Sequence, residues 1–336
     1  MTGLPAPHHH NPRLTLPALP SRIPKPPPSF RSFNTSDVVP DSPSRIPKPQ
    51  SSRKHFENHT RGKIGPLEGQ PYSVMIDGGV IAVGDVHGQT KKLKSLWRQL
   101  CKLSDFDEYT VVFLGDYVDR GPDSKGSLDF LLELQETRPK TYFLCGNHDL
   151  AFAAFLGLLV APRNRSFLET WGEAKTKGAL YSGPGHEDMH LMGRRWGGMG
   201  YNSNTTFTSY GVEVGDREAL IKAVPESHQK FIKSLPWVIE HPDYLFIHAG
   251  LEENTHMSEQ LRLLRQRDVM RPVPWLISKK PMVGPPDLTK IVVTGHVHVQ
   301  DVVITAKKIQ VDTTGGRVGQ MSAIVLPSCK VIKSNV

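Results

Sequence analysis

Short, mostly apolar runs recur along the chain, and each ends in a small polar motif. Val80–Val83, Thr110–Leu114 and Thr141–Leu144 are unalternated stretches of this kind, the pattern of strands buried on both faces. Between them, Gln89–Leu103 and Ser124–Gln135 carry apolar residues at helical spacing. These are Leu93, Leu96, Trp97 and Leu100 in the first segment, and Leu128, Leu131 and Leu132 in the second. Strand–helix–strand–helix–strand predicts a parallel sheet with right-handed crossovers, hence an α/β fold. Ala151–Val160 predicts a buried helix and His228–Leu235 a further helix; Tyr244–Ile247 and Ile291–Thr294 predict two more buried strands. Val302–Ile304, Ile309–Val311 and Ala323–Leu326 predict short strands in a closing antiparallel meander. Residues 161–240 are otherwise rich in Gly, Arg, Ser and Trp, and show no clear period.

Polar residues gather where these strands end, which is where open α/β sheets place their ligands. In order they are Gly84-Asp85-Val86-His87-Gly88, Gly115-Asp116-Tyr117-Val118-Asp119-Arg120-Gly121, Gly146-Asn147-His148-Asp149, Ile247-His248-Ala249-Gly250 and Gly295-His296-Val297-His298. Asp85 to Asp116 is 31 residues, and so is Asp116 to Asn147, one strand–helix step each, so three loops emerge side by side. A single Gly-Asp after a strand is an ordinary turn. Five such motifs in strand-end context point instead to one shared centre. Carboxylates, imidazoles and an amide oxygen, with no thiolate, form a ligand set for Mn, Fe or Zn. A carboxylate between two such ions can bridge them at roughly 3.5–4 Å, the arrangement used for in-line phosphoryl displacement.

The ordered motifs GDVHG, GDYVDRG, GNHD, HAG and GHVH resemble those of the phosphoprotein phosphatases, within the calcineurin-like metallophosphoesterases. The likeness covers roughly residues 79–330. It implies a calcineurin-like α/β/β/α sandwich with a dinuclear site of two divalent metal ions. Asp85, His87 and Asp116 would hold the first ion; Asp116, Asn147, His248 and His296 would hold the second. Direct attack by metal-bound hydroxide is implied, with His148 as general acid, Asp119 orienting its ring and Arg120 clamping phosphate. A second phosphate-binding arginine is expected between the two His motifs, with Arg265 as candidate and Arg267 or Arg271 as alternatives. Arg194 and Arg195, in Gly193–Trp196 with His186 and His190 upstream, line the substrate mouth or form a solvated loop. His298 joins the first metal or faces solvent. Two departures stand out: Asp149 replaces the usual Glu, and the Tyr/Cys-bearing C-terminal loop is not evident, Ile324–Ser328 standing near the end instead. Gly193–Trp196, Ala223–His228 and Leu261–Arg265 are most similar to the Rhizobiales-like branch found in plants. That likeness implies phosphotyrosine or dual-phosphorylated protein substrates, mitogen-activated kinases among them. The alternatives are a symmetric dinucleoside-tetraphosphate hydrolase and, from another class, a phosphoprotein-binding scaffold.

Charge changes the reading of the N-terminus alone. The chain has 336 residues and a formal net charge of +8. Residues 1–64 hold ten Lys/Arg against three acids, and 13 of the 28 prolines; the other 272 residues carry 31 basic and 30 acidic side chains. The basic character therefore belongs to a tail and is no sign of nucleic-acid binding. Residues 1–70 are expected to be disordered, and 71–336 to form the catalytic domain. Ser21–Pro26 recurs as Ser44–Pro49, Ser-Arg-Ile-Pro-Lys-Pro each time, resembling the SxIP motif that docks into microtubule end-binding proteins. Asp41-Ser42-Pro43 between the copies reads as a proline-directed phosphorylation site that would weaken such docking. A solubilising tail and an organelle transit peptide are the alternatives. Cys101, Cys145 and Cys329 form no CxxC pair, and no apolar run approaches a membrane span, which predicts a soluble cytoplasmic or nuclear protein.

Overall fold

The computed structural model describes residues 72, 74–159, 180–181, 190–191, 194–197, 200–267, 274–279 and 284–336. The expected 1–70 tail, with both Ser-Arg-Ile-Pro copies, lies outside the described residues, as do His186, Gly193 and Arg271. In chain order the strands are β1 (Val74–Met75), β2 (Val80–Val83), β3 (Thr110–Phe113), β4 (Thr141–Phe143), β5 (Leu180–Tyr181), β6 (His190–Leu191), β7 (Arg194–Arg195), β8 (Ile239–Glu240), β9 (Tyr244–Phe246), β10 (Ile291–Thr294), β11 (Val303–Ile304), β12 (Lys308–Gln310), β13 (Ser322–Leu326) and β14 (Lys330–Lys333). The α-helices are α1 (Thr90–Leu100), α2 (Ser124–Thr137), α3 (Asn147–Phe155), α4 (Asn204–Ser209), α5 (Arg217–Ala223), α6 (Glu226–Ser234), α7 (Met257–Gln266) and α8 (Pro274–Ile277).

Two sheets result. One runs β14-β13-β2-β3-β4, the other β1-β8-β9-β10-β12-β11; β5, β6 and β7 form a small separate sheet. The predicted β2–β3–β4 core is parallel, Val80 pairing with Thr110 and Val111 with Thr141. Because strand side chains alternate, each strand of this trio serves two layers. Val80, Ala82, Val112, Leu114 and Leu144 join Ile239, Phe246, Val293, Ile309 and Val311 in a buried cluster drawn from both sheets. Ile81, Val83, Val111, Phe113 and Phe143 turn the other way and join Leu93, Leu96 and Leu100 of α1 and Leu128 and Leu131 of α2. The α1 leucines form the apolar stripe that its spacing predicts; burying each contributes roughly 1.5–3 kcal/mol. Asp123 caps α2 by accepting from the Gly126 N–H at 2.8 Å, which starts that helix just beyond the third-strand loop. Leu263, Leu264 and Trp275 cover the outer side of the second sheet with Leu245, Ile247 and Val292. The layers are therefore α/β/β/α.

The closing antiparallel meander does not form. β12 pairs parallel with β10, β11 adds antiparallel to β12, and β13 crosses to the other sheet, antiparallel to β2. Parallel pairing of β9, β10 and β12 has a functional result: all three end on the side where β2, β3 and β4 end. Among the described residues, no helix is long and apolar enough to cross a membrane.

Candidate metal centre and acid dyad

Each candidate residue leaves a strand at its C-terminal end. β2 leads to Asp85 and His87; β3 to Asp116, Asp119 and Arg120; β4 to Asn147 and His148, which open α3; β9 to His248; β10 to His296. His87, Asp116, Asp119, Arg120 and His296 all have positive φ, between 44° and 72°. Non-glycine residues in this region cost about 1–3 kcal/mol each, so the surrounding structure must hold them. It does so with backbone bonds between loops. The N–H groups of Val86 and His87 donate to the Asp116 carbonyl at 3.1 and 2.7 Å, and Gly121 donates to the His87 carbonyl at 3.0 Å. Asp149, the departure from the family's Glu, ties the second and third loops by accepting from Asp116, Tyr117 and Gly146 N–H at 2.7, 2.8 and 2.9 Å. A Cβ at Gly146 would run into the Asp116 carboxylate, and one at Gly295 into that of Asp85; glycine is what lets these loops close.

Backbone carbonyls set the histidine tautomers. His87 Nδ1 donates to the Val118 carbonyl at 2.9 Å and His248 Nδ1 to the Leu114 carbonyl at 2.7 Å, so both rings turn Nε2 inward. His87 Nε2 lies 3.4 Å from Asp116 Oδ2 and 3.9 Å from Asp85 Oδ2; His248 Nε2 lies 3.3 Å from Asp116 Oδ1 and 3.2 Å from Asn147 Oδ1. Two groups of donor atoms, each drawn together within 4.8 Å, share Asp116: His87–Asp116–His148 and Asp116–His248–His296. A divalent pair fits this set. The donors are carboxylate, imidazole and amide oxygen, and His296 Nε2 is buried with no hydrogen-bond partner. His148 differs from His87 and His248 in that its Nδ1 meets a carboxylate, Asp119, rather than a backbone carbonyl.

Electrostatics agree with a cation site. Burial raises the Asp85 carboxyl well above the usual range, and the like charges of Asp312 and Asp116 add to it. Burial also works on Asp116, but His248 and His148 outweigh it and hold that carboxyl well below the usual range. Burial takes His296 down to about 3 with help from His248, whereas Asp116 and Asp85 overcome burial and lift His248 to about 10. Buried carboxylates packed this closely are costly without a compensating positive charge.

Beside this centre stands the dyad. His148 Nδ1 lies 2.6 Å from Asp119 Oδ2, and the same carboxylate accepts from Trp196 Nε1 at 2.9 Å and Thr206 Oγ1 at 2.7 Å. Burial pushes Asp119 well up, while the Thr206 and Trp196 donors pull it back towards the ionised form that orients an imidazole. Burial lowers His148 to about 3, Asp116 opposes this, and Arg120 and Lys279 act in the same sense as burial. Arg120 reaches across the site, donating to His87 Nε2 at 2.8 Å, His148 Nε2 at 3.0 Å and the Gly315 carbonyl at 3.0 Å.

The arginines expected between the His motifs are not brought here. Arg265 is committed to a bidentate ion pair with Glu240, Nε and Nη2 each 2.8 Å from a carboxylate oxygen. Glu240 ends β8, which runs antiparallel to β9, so Arg265 sits at the sheet end away from His248. Arg267 donates to the Lys233 and Leu235 carbonyls and covers the Tyr72 ring. Arg194 and Arg195 form β7, their side chains outside the described residues; His298 is exposed. Two features went unread in the sequence. Trp196 and Thr206 complete the Asp119 shell from 77 and 87 positions away, and no local pattern announces that. The second is Asp312-Thr313-Thr314-Gly315-Gly316 after β12, which lies against the first loop and Arg120. Gln89 Nε2 donates to the Gly316 carbonyl at 2.8 Å, and a Cβ on Gly316 would lie 2.6 Å from that of His87. An acid followed by glycines at a strand end is the signal already seen in the other loops.

Fold and site together define a metallophosphoesterase. The family model of the calcineurin-like phosphoesterases matches residues 79–301, and the chain belongs to that family. It is 35% identical over 85 residues to a Caenorhabditis elegans protein named "Putative serine/threonine-protein phosphatase C27B7.6"; the match covers 25% of this chain and 18% of that relative. The fold is similar to a crystal structure described as a "putative diadenosine tetraphosphatase", with 18% identity, TM-score 0.46, and coverage of 79% of this chain and 97% of that one. It is similar also to the cold-active protein-tyrosine phosphatase of a psychrophilic Shewanella species, with 18% identity, TM-score 0.44, and coverage of 79% and 83%.

Proposed function

We propose that the chain is a metal-dependent protein phosphatase that hydrolyses phosphomonoesters, directed to phosphotyrosine or dual-phosphorylated proteins. The observation that carries the phosphatase reading is the convergence of the Asp116-centred donor groups with the His148–Asp119 dyad and the Arg120 guanidinium. When bound, a pair of divalent ions would supply Lewis acidity and acidify a water at neutral pH, held by Asp85, His87, Asp116, Asn147, His248 and His296. The chain's own residues do the rest. Arg120 binds phosphate oxygens through its planar fork, and Lys279, from the segment after α8, adds positive charge on the same side. Asp119 holds the His148 ring with Nε2 facing the site, so that a proton carried there reaches the departing oxygen.

The tyrosine preference rests on the likeness of Gly193–Trp196, Ala223–His228 and Leu261–Arg265 to the plant Rhizobiales-like branch. Matched phosphopeptides bearing phosphoserine, phosphothreonine or phosphotyrosine, assayed beside diadenosine tetraphosphate, test it. Fastest turnover of the phosphotyrosyl peptide is expected; faster cleavage of the dinucleotide would replace the protein-phosphatase reading. The two Ser-Arg-Ile-Pro copies are proposed to recruit the enzyme to microtubule ends, and end-binding protein should lose the chain when Ile23 and Ile46 become Asn.

A further inference from the structure

Asp312 is fully buried two residues beyond β12, and the residue before it, Val311, donates its N–H to the Thr294 carbonyl at the end of β10 at 2.9 Å. On its other side it abuts the start of the first loop: a Cβ at Gly84 would lie 3.2 Å from Asp312 Cα and 2.7 Å from the Val311 carbonyl oxygen. The residue therefore stands between the strand ends that deliver Asp85 and His296. One carboxylate oxygen, Oδ1, accepts from the Thr314 and Gly315 N–H groups at 3.1 and 2.8 Å. The other, Oδ2, is buried and has no hydrogen-bond partner. Three side-chain atoms among the described residues share that condition, and two of them are His296 Nε2 and Asp312 Oδ2.

A turn needs only Oδ1, and an asparagine would serve it without a charge. Keeping a second, undonated oxygen beside Asp85 and Asp116 is costly unless something positive meets it. The described groups facing Asp312 offer little: His298 is exposed, and Asp85 and Asp116 bear the same sign.

We propose that Asp312 is a further carboxylate of the first-metal half of the centre, its Oδ2 serving the same cation as Asp85, His87 and Asp116. This rests on the dinuclear reading above. It gives that half three carboxylates and one imidazole, which favours a hard divalent ion such as manganese. It also explains why the Asp312–Gly316 loop closes over His87 and accepts from Arg120 and Gln89.

The test is a titration of chelator-stripped full-length protein with manganese(II), free ion being followed by electron paramagnetic resonance and heat by calorimetry. Wild type is expected to take up two equivalents. Asp312→Asn keeps the turn acceptor and loses the charge; it should weaken one equivalent about 10–100-fold and leave the other unchanged. The stripped variant should melt no lower than stripped wild type, because a repulsive charge has gone. Unchanged affinity of both equivalents in a folded variant overturns the proposal and leaves Asp312 a turn residue. Should Asp312→Asn fail to fold, Asp312→Ser, with a hydroxyl acceptor and no carboxylate, takes its place under the same criteria. Fewer than two equivalents in wild type overturns the dinuclear reading itself, and the proposal with it.

Discussion

Replacing Trp196 with Phe removes one hydrogen-bond donor from Asp119 and keeps an aromatic ring in a pocket of rings. The Trp196 ring centroid lies 4.9 Å from Phe152, 4.8 Å from Phe155 and 5.4 Å from Phe207, so phenylalanine should hold the packing at modest cost. The indole N–H is 2.9 Å from Asp119 Oδ2, the oxygen that also holds His148 Nδ1. Both partners are fully buried, so water cannot take the place of the lost donor. A hydrogen bond to a charged group is worth about 1.5–3 kcal/mol. Without it the Asp119 carboxyl rises further, and its grip on the imidazole weakens by a comparable amount. Each 1.4 kcal/mol is about tenfold in rate, so kcat should fall roughly 10–100-fold where leaving-group protonation limits turnover. The penalty should therefore depend on the leaving group. It should be large with phenyl phosphate, a proxy for phosphotyrosine, and small with p-nitrophenyl phosphate, whose anion departs with little help. KM should move little, because Trp196 is buried beneath the acid. Steady-state kinetics with both esters, alongside thermal melting, reads all of this. Equal losses on the two esters, or none in a folded variant, would refute the reasoning.

Two further outcomes follow from the same geometry. Arg265→Ala should lower the melting temperature, by about 1–3 kcal/mol of stability for a part-exposed bidentate pair, while kcat/KM stays within about twofold; a large kinetic loss without destabilisation would return Arg265 to the phosphate site. The His248 pKa stands raised, at about 10, so at neutral pH the ring holds a proton that must leave before Nε2 can donate to a cation. Metal affinity should accordingly rise with pH up to that value, approaching tenfold per unit, with at least one proton released per two ions. Calorimetry in buffers of different ionisation enthalpy measures it, and a flat profile between about pH 6 and 9 would contradict the assignment.

The chain's own order of residues determined the local layers and the loops that carry chemistry. Short, unalternated, β-branched runs such as Val80–Val83 and Ile291–Thr294 read as strands covered on both sides, and both boundaries hold in the structure. The Gly-Asp and Gly-Asn steps that follow the first three strands place donors at strand ends because backbone direction is set locally. Nothing local could say which sheet the last strands join. β12 lies beside β10 and β13 beside β2 because the pairing of short apolar strands is decided by which edge is open, over separations of about 15 to 240 residues. That choice is what delivers Asp312 and Gly316 to the first loop. Charge partners are likewise a tertiary decision. Arg265 has the position expected of a phosphate clamp, yet it pairs with Glu240 at the end of the sheet away from His248. Trp196, read as packing or loop, donates to a carboxylate 77 positions earlier. A side chain's neighbours across the fold, and the water they exclude, settle what its polar atoms do; sequence spacing alone carries that information only within one strand–helix step.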